Sequence, residues 1–234
     1  MESLTFYIVF HQKIFPEKTP DYDCFTYVAV NEAIPKEIDV GSLKHPILYE
    51  YDVPNYNPMY QMLKFRENSV ILNMPAPLTP FVGLGQDDMR FVPEKFASMM
   101  RSVDGYNKMV GFFPYRMDVI QDVLNADHWN EVLDVYNKTN KTHHRLHDLR
   151  GTPFFLMNTY ILPSWFYMSL QSTLKSVLPT VIRLLQWNMR HIAGTLERVN
   201  SLIIACALKE GILECVASDA IQDVREQTIA TDKG

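Results

Sequence analysis

Cysteine is scarce: the 234 residues contain three, Cys24, Cys206 and Cys215. An odd number without metal-ligand spacing argues against a disulfide scaffold or a paired-Cys metal motif and points to a reducing compartment. Positive charge is scarce as well. Lys and Arg number 22 against 27 Asp and Glu, for a net charge of −5, and no basic stripe is present that would make nucleic acid the main partner. A long apolar run is also missing. The longest uncharged stretch, residues 151–174, is interrupted by Pro153, Asn158 and Pro163 before it reaches a bilayer-spanning length, so no transmembrane segment is expected. The first residues, Met-Glu-Ser-Leu, lack the basic region and apolar core of a signal peptide. There is no internal repeat and no dividing linker. These absences give the expectation of a soluble, cytoplasmic chain with one domain over residues 1–216 and a polar tail over 217–234.

What is present is an alternation of apolar runs and helical patterns. Residues 4–10 and 25–30 are β-branched and aromatic runs, and residues 81–84, 108–113 and 154–162 are further apolar strand candidates. Asn57-Pro58 reads as an N-cap with proline at the first helical position, opening a helix to about Asn68. Pro93 opens another, to Arg101. Further helical patterns cover 117–125, 127–136, a segment after Pro163, 179–187 and 195–210, with Gly211 closing the last one. Residues 36–57 read as a loop. The expected fold class is therefore α/β, a mostly parallel central sheet with helices on both faces.

The apolar run at 81–84 is followed by Gly85-Gln86 and then by two adjacent carboxylates, Asp87 and Asp88. Ligands of open α/β sheets gather beyond the carboxyl ends of the strands. A hard divalent cation, Mn2+ or Mg2+, is held there by one or two carboxylates, with water and phosphate oxygens completing its shell. Adjacent residues on an extended strand point to opposite faces, so one of the two is the direct ligand. Asp88, one residue further out, is the better placed, with Asp87 binding the metal through water or touching the ribose. The competing reading is a solvated acidic turn. Gly83 and Gly85 would let a backbone or a ligand approach closely. The loop after the first strand adds His11 and Gln12 as nucleotide contacts, against a histidine merely bonded to backbone. His143, His144 and His147, with Asp148, have helical i, i+4 spacing that a metal could use, against a polar loop. The Asn137-Lys-Thr and Asn140-Lys-Thr glycosylation patterns read as coincidence without a secretion signal.

Four segments carry a family resemblance. Residues 52–68 with Pro54-Asn55-Tyr56, residues 81–91, residues 156–162 with Asn158, and residues 191–199 with Glu197-Arg198 follow one another in the order and spacing seen in GT-A-like glycosyltransferases of bacteria and large viruses. Where many bacterial members carry His-Tyr-Arg-Arg, this sequence has Gln86-Asp-Asp-Met89, which favours a metal over fixed cations. The resemblance implies a GT-A-like domain that moves a sugar from a nucleotide-diphosphate sugar, UDP-sugar favoured, to a hydroxyl of a glycan acceptor. It implies Glu197 as the base that deprotonates that hydroxyl, Asp87 beside it in catalysis, and Asn55, Tyr56, Gln86 and Asn158 as contacts to the nucleotide sugar or acceptor. Glu197 has a structural alternative, an ion pair with Arg190 or Arg198, and Asn158 another, an amide satisfied inside the protein. Two further function classes remain open, a metal-dependent phosphoesterase or nucleotidyltransferase and an inactive carbohydrate-binding module.

Overall fold

A computed structural model describes residues 3–10, 22–30, 47–75, 77–87, 89–116, 124–186 and 188–223. In chain order these form β1 (Leu4–Phe10), β2 (Phe25–Ala29), β3 (Ile47–Tyr49), α1 (Pro58–Met62), α2 (Glu67–Asn73), β4 (Phe81–Gln86), β5 (Met89–Phe91), α3 (Pro93–Ser102), β6 (Lys108–Gly111), β7 (Pro114–Tyr115), α4 (Ala126–Asn140), β8 (Phe154–Phe155), β9 (Tyr160–Pro163), α5 (Ser164–Leu184), α6 (Ile192–Lys209), β10 (Glu214–Ala217) and β11 (Ile221–Asp223). Seven strands make one sheet in the order β10-β6-β9-β4-β1-β2-β3. All neighbours are parallel except β9, which runs antiparallel to β4 and β6 on either side. The expected α/β class, with β4 at the centre, is what the structure has.

Each face of the sheet has its own core. On one, Tyr7, Val9, Val28, Val82 and Leu84 pack against α2, α4, α5 and α6. On the other, Phe6, Ile8, Phe25, Tyr27 and Phe81 pack against α3, β5 and β11 through Phe91, Phe96, Met99 and Ile221. Strict alternation along β1 divides its residues between the two. The glycines of β4 belong to the second face. A Cβ on Gly83 would lie 2.0 Å from the Phe6 ring and one on Gly85 2.9 Å from it, so the space these glycines leave is filled by an aromatic side chain, not by a ligand.

Several boundaries differ from the sequence reading for identifiable reasons. The helix opened by Asn57, whose side chain accepts from Met59 N, stops at Met62; Lys64 and Arg66 take positive φ, and α2 begins afresh at Glu67. The run 154–162 is two short strands, because Met157 and Asn158 at φ 63° and 46° turn the chain between them. Pro179 does not start a helix but lies inside α5, where the backbone hydrogen bond it removes is offset by burial of Val177, Leu178 and Val181. Residues 47–49 form an edge strand within the expected loop. Residues 217–223, assigned to the polar tail, include β11, antiparallel to β5, with Ala220 and Ile221 buried. The helical pattern at 117–125 falls mostly on residues 117–123, outside the described residues. No helix among the described residues is long and apolar enough to cross a membrane.

Candidate functional site

The parallel strands point their carboxyl ends to one edge of the sheet, and the reversed β9 brings its amino end to that same edge. There β4 ends in Gln86 and Asp87. Asp87 is 8% exposed, and its backbone N–H donates to the carbonyl of Val9, at the end of β1, at 3.1 Å. Gln86 reaches across to the segment before β9, its Nε2 donating to the carbonyl of Met157 at 2.8 Å.

Behind that segment lies a buried amide network that sequence reasoning only half anticipated. Asn158 donates through Nδ2 to Oδ1 of Asn68 at 3.0 Å. Its own Oδ1 accepts from Asn200 Nδ2 at 2.9 Å and from the Tyr160 hydroxyl at 3.3 Å. Asn200 Nδ2 also donates to Asn68 Oδ1 at 3.0 Å, and Asn68 Nδ2 donates to the carbonyls of Phe65 and Ala193 at 2.9 and 3.1 Å. All three side chains are at most 2% exposed. Asn158 thus has the internal role that was its alternative reading, holding the left-handed turn before β9. Neither Asn68 nor Asn200 was singled out from sequence. A buried asparagine leaves no periodic mark, although Asn200 stands one helical turn after Glu197 in an otherwise apolar helix, which was the available signal. Asn200 Oδ1 is the one buried side-chain oxygen or nitrogen among the described residues without a partner.

Glu197 is half-buried on α6. Because α6 begins at Ile192, Glu197 lies in its second turn rather than its first, so the helix dipole favours the carboxylate less than the sequence reading supposed. Its charge is felt at Tyr160. Burial first, and then the carboxylates of Glu197 and Glu67, push the Tyr160 phenol well above its ordinary range. Tyr160 is therefore a neutral hydrogen-bond donor beside two acids. The neighbouring Arg198 donates through Nη1 to the carbonyl of Gly194 at 2.9 Å.

The structure thus brings Gln86, Asp87, Asn158 and Glu197 to one end of the sheet. Asn55 is exposed, and Tyr56 belongs to a separate cluster. Asn57 N donates to Asn73 Oδ1, at the far end of α2, and Asn73 donates in turn to Glu50. Burial and the Glu50 carboxylate hold the Tyr56 phenol above its usual value, and its hydroxyl is bonded to Gln61. Asn73 lies about 7.5 Å along the helix from Asn68 at 1.5 Å per residue. His11, Gln12 and Asp88 lie outside the described residues.

The histidine group does not join the site. Residues 146–149 form a 3-10 turn, so no i, i+4 face exists; His144 Nε2 pairs with Glu210 at 2.5 Å, and His147 lies 3.2 Å from Asp148. Glu210 stands about 20 Å along α6 from Glu197. Asn137 uses its side chain on Thr142 and His144, a structural role. Among the described residues no three His, Cys, Asp or Glu side chains gather to hold a metal. Asp87, a buried carboxylate at a strand's carboxyl end, has the donor chemistry that a hard cation takes beside phosphate oxygens and water.

No family model matches the sequence, and no curated protein matches it significantly. Among solved structures, the apo form of the bifunctional glycosyltransferase WbbM is similar with a TM-score of 0.63 at 11% identity, over 95% of this chain and 45% of that one. The chain therefore spans less than half the length of that protein. What the two share is the fold, and this chain has a glycosyltransferase-like α/β fold.

Proposed function

We propose that this chain transfers a sugar from a nucleotide-diphosphate sugar, a UDP-sugar in first preference, to a hydroxyl of a glycan acceptor. The observation that supports the reading is a chain of hydrogen bonds at one edge of a glycosyltransferase-like sheet: Gln86, next to Asp87 at the end of β4, bonds Met157, and the adjoining Asn158 bonds Asn200, one helical turn after Glu197 on α6. Glu197 accepts the proton of the acceptor hydroxyl as its oxygen bonds to the sugar's anomeric carbon. The bond from that carbon to the diphosphate breaks, and its electron pair leaves with the diphosphate. Asp87, with Asp88, would hold Mn2+ or Mg2+, which when bound stabilises the negative charge that collects on the leaving diphosphate. Tyr160 and the three asparagines are positioning residues. They fix the turn before β9 and the second and third turns of α6 relative to each other.

The test is release of sugar from UDP-, GDP- and dTDP-sugars to water, with and without manganese. Metal-dependent release from one donor class is expected. No release and no binding from any donor would leave an inactive module. The metal is tested by calorimetric titration of the donor: Asp88→Asn should abolish metal-dependent binding and Asp87→Asn should weaken it less. No metal dependence in the parent protein removes the ion from the mechanism.

A further inference from the structure

The turn between α1 and α2 and the start of α6 enclose a cavity of about 660 Å³, within the usual range for small-molecule sites. It adjoins the amide network, because Ala193, whose carbonyl accepts from Asn68, is part of its wall. Although the whole chain carries −5, the wall contains Lys64, Arg66, Arg190 and Arg198, with His191 among them, and no Asp or Glu. None of the ion pairs among the described residues involves Lys64, Arg66 or Arg190. Like charges around one opening repel unless an anion lies between them. The backbone adds to the field. α6 has eighteen residues, no acid in its first turn and no side-chain bond at its N-cap, and Ile192, Ala193 and Gly194 of that turn line the cavity, so its positive end belongs to the same wall. Gly194 leaves that backbone open, since a side chain there would meet only Arg198.

We infer that this cavity binds a phosphate-class oxyanion carried by the acceptor. The oxyanion site rests on the cavity alone, whereas its assignment to the acceptor rests on the transfer reading. Gly194, Glu197 and Arg198 stand at i, i+3 and i+4 and so share one face of α6. An acceptor whose hydroxyl faces Glu197 therefore extends toward the cationic wall. Arginine forks suit phosphate oxygens in pairs, which makes a phosphorylated sugar the matching class rather than a neutral glycan. The donor's own diphosphate is the other source of the same chemistry.

Calorimetric titration of the full chain with glucose 1-phosphate, inorganic pyrophosphate, glucose and UDP, without metal, separates the sources. Both phosphate probes are expected to bind, with affinity falling as salt rises, and glucose is not. Replacing two exposed cations together, Arg66→Gln with Arg190→Gln, should weaken glucose 1-phosphate by about tenfold or more while UDP affinity stays put. The charge-keeping pair Arg66→Lys with Arg190→Lys should recover most of the loss. Equal behaviour of glucose and glucose 1-phosphate, or an unchanged affinity in the double Gln variant, overturns the oxyanion site. Parallel loss of UDP overturns its assignment to the acceptor. Retained arginine-dependent binding in a chain that neither binds nor hydrolyses any nucleotide sugar supports the site and sinks the transfer reading.

Discussion

β4 has one apolar aromatic side and one polar tip, and the two are built on opposite principles. Along the strand, Gly83 and Gly85 make room for Phe6, whose ring meets Phe25, Phe91 and Phe96 at centroid distances of 5.4–5.8 Å. That side is held by shape: rings fill space left by absent side chains, and dispersion and apolar burial do the rest. At the tip, Gln86 and Asp87 join a region held by direction. Each amide of Asn68, Asn158 and Asn200 has a partner at a set distance, with a single oxygen left over. A dry aromatic face tolerates no added volume, and a polar network tolerates no lost partner. Substitutions on the two sides should therefore fail in different ways.

The largest effect is expected on the aromatic side. Gly83→Val forces a branched side chain into the Phe6 ring and should cost about 3 kcal/mol or more, seen in thermal denaturation as a drop of roughly 10 °C. A partner change Phe6→Leu should return part of it. Unchanged stability in Gly83→Val would mean that the ring is free to move aside. Next comes the tip. Glu197→Gln keeps shape while removing basicity, so turnover should fall by about 10² with the melting temperature nearly unchanged; near-normal turnover of the folded variant leaves Glu197 a structural role. Asn158→Ala removes one of the two donors to Asn68 Oδ1, strands the Tyr160 hydroxyl and should cost about 2 kcal/mol. Asn158→Gly, which suits the positive φ, should lose the same bonds but less backbone energy; equal losses in the two would assign the whole effect to the amide.

The smallest difference separates the two sides by pH. Burial pushes the Cys24 thiol, on the aromatic side, up to about 11 from an ordinary value of 9.0. Below pH 9 the thiol is neutral in both folded and unfolded chains and its burial contribution is complete. As pH rises through that value and on to about 11, the unfolded chain ionises first and stability falls. Cys24→Ala should flatten denaturation midpoints across that window by the thiol's share. The same slope in parent and variant would place its origin in other groups, such as the buried Tyr160 and Tyr167, whose phenols are also raised.

The same division explains what the sequence reveals. β1, β2 and β4 are readable because both their faces are covered, and an all-apolar run announces this directly. α3 is readable from Pro93, and α1 from Asn57-Pro58. The strand end carrying Gln86 and Asp87 follows from the same patterns, whereas Glu197 is picked out by the family resemblance. The misread parts are those that depend on partners far along the chain. Gly83 and Gly85 look like an opening for a ligand until the ring of Phe6 is laid over them. The run at 154–162 looks like one strand, because nothing local reveals that Asn68 and Asn200 hold Asn158 in a left-handed turn. Pro179 looks like a helix start, and only the packing of α5 makes it an interior residue. The cationic wall of the α6 cavity is dispersed over two distant segments, so no basic stripe appears in the sequence even though the fold makes one.

The reversed strand β9 has a kinetic consequence. It enters between β4 and β6, pairing Leu84 with Tyr160 and Val110 with Ile161, so its two registers close loops of roughly 75 and 50 residues. The parallel pair of β1 and β2 closes a much shorter one. Loop-closure entropy rises with length, and contacts distant in sequence are slow to form. β9 should therefore dock late in folding, as should β4, which pairs with β1 across a loop of similar length, both after β1 and β2 have paired. The Asn158 turn, immediately before β9, docks with it. A refolding chain should regain its buried aromatic signal first and its capacity to bind ligand at the sheet edge last.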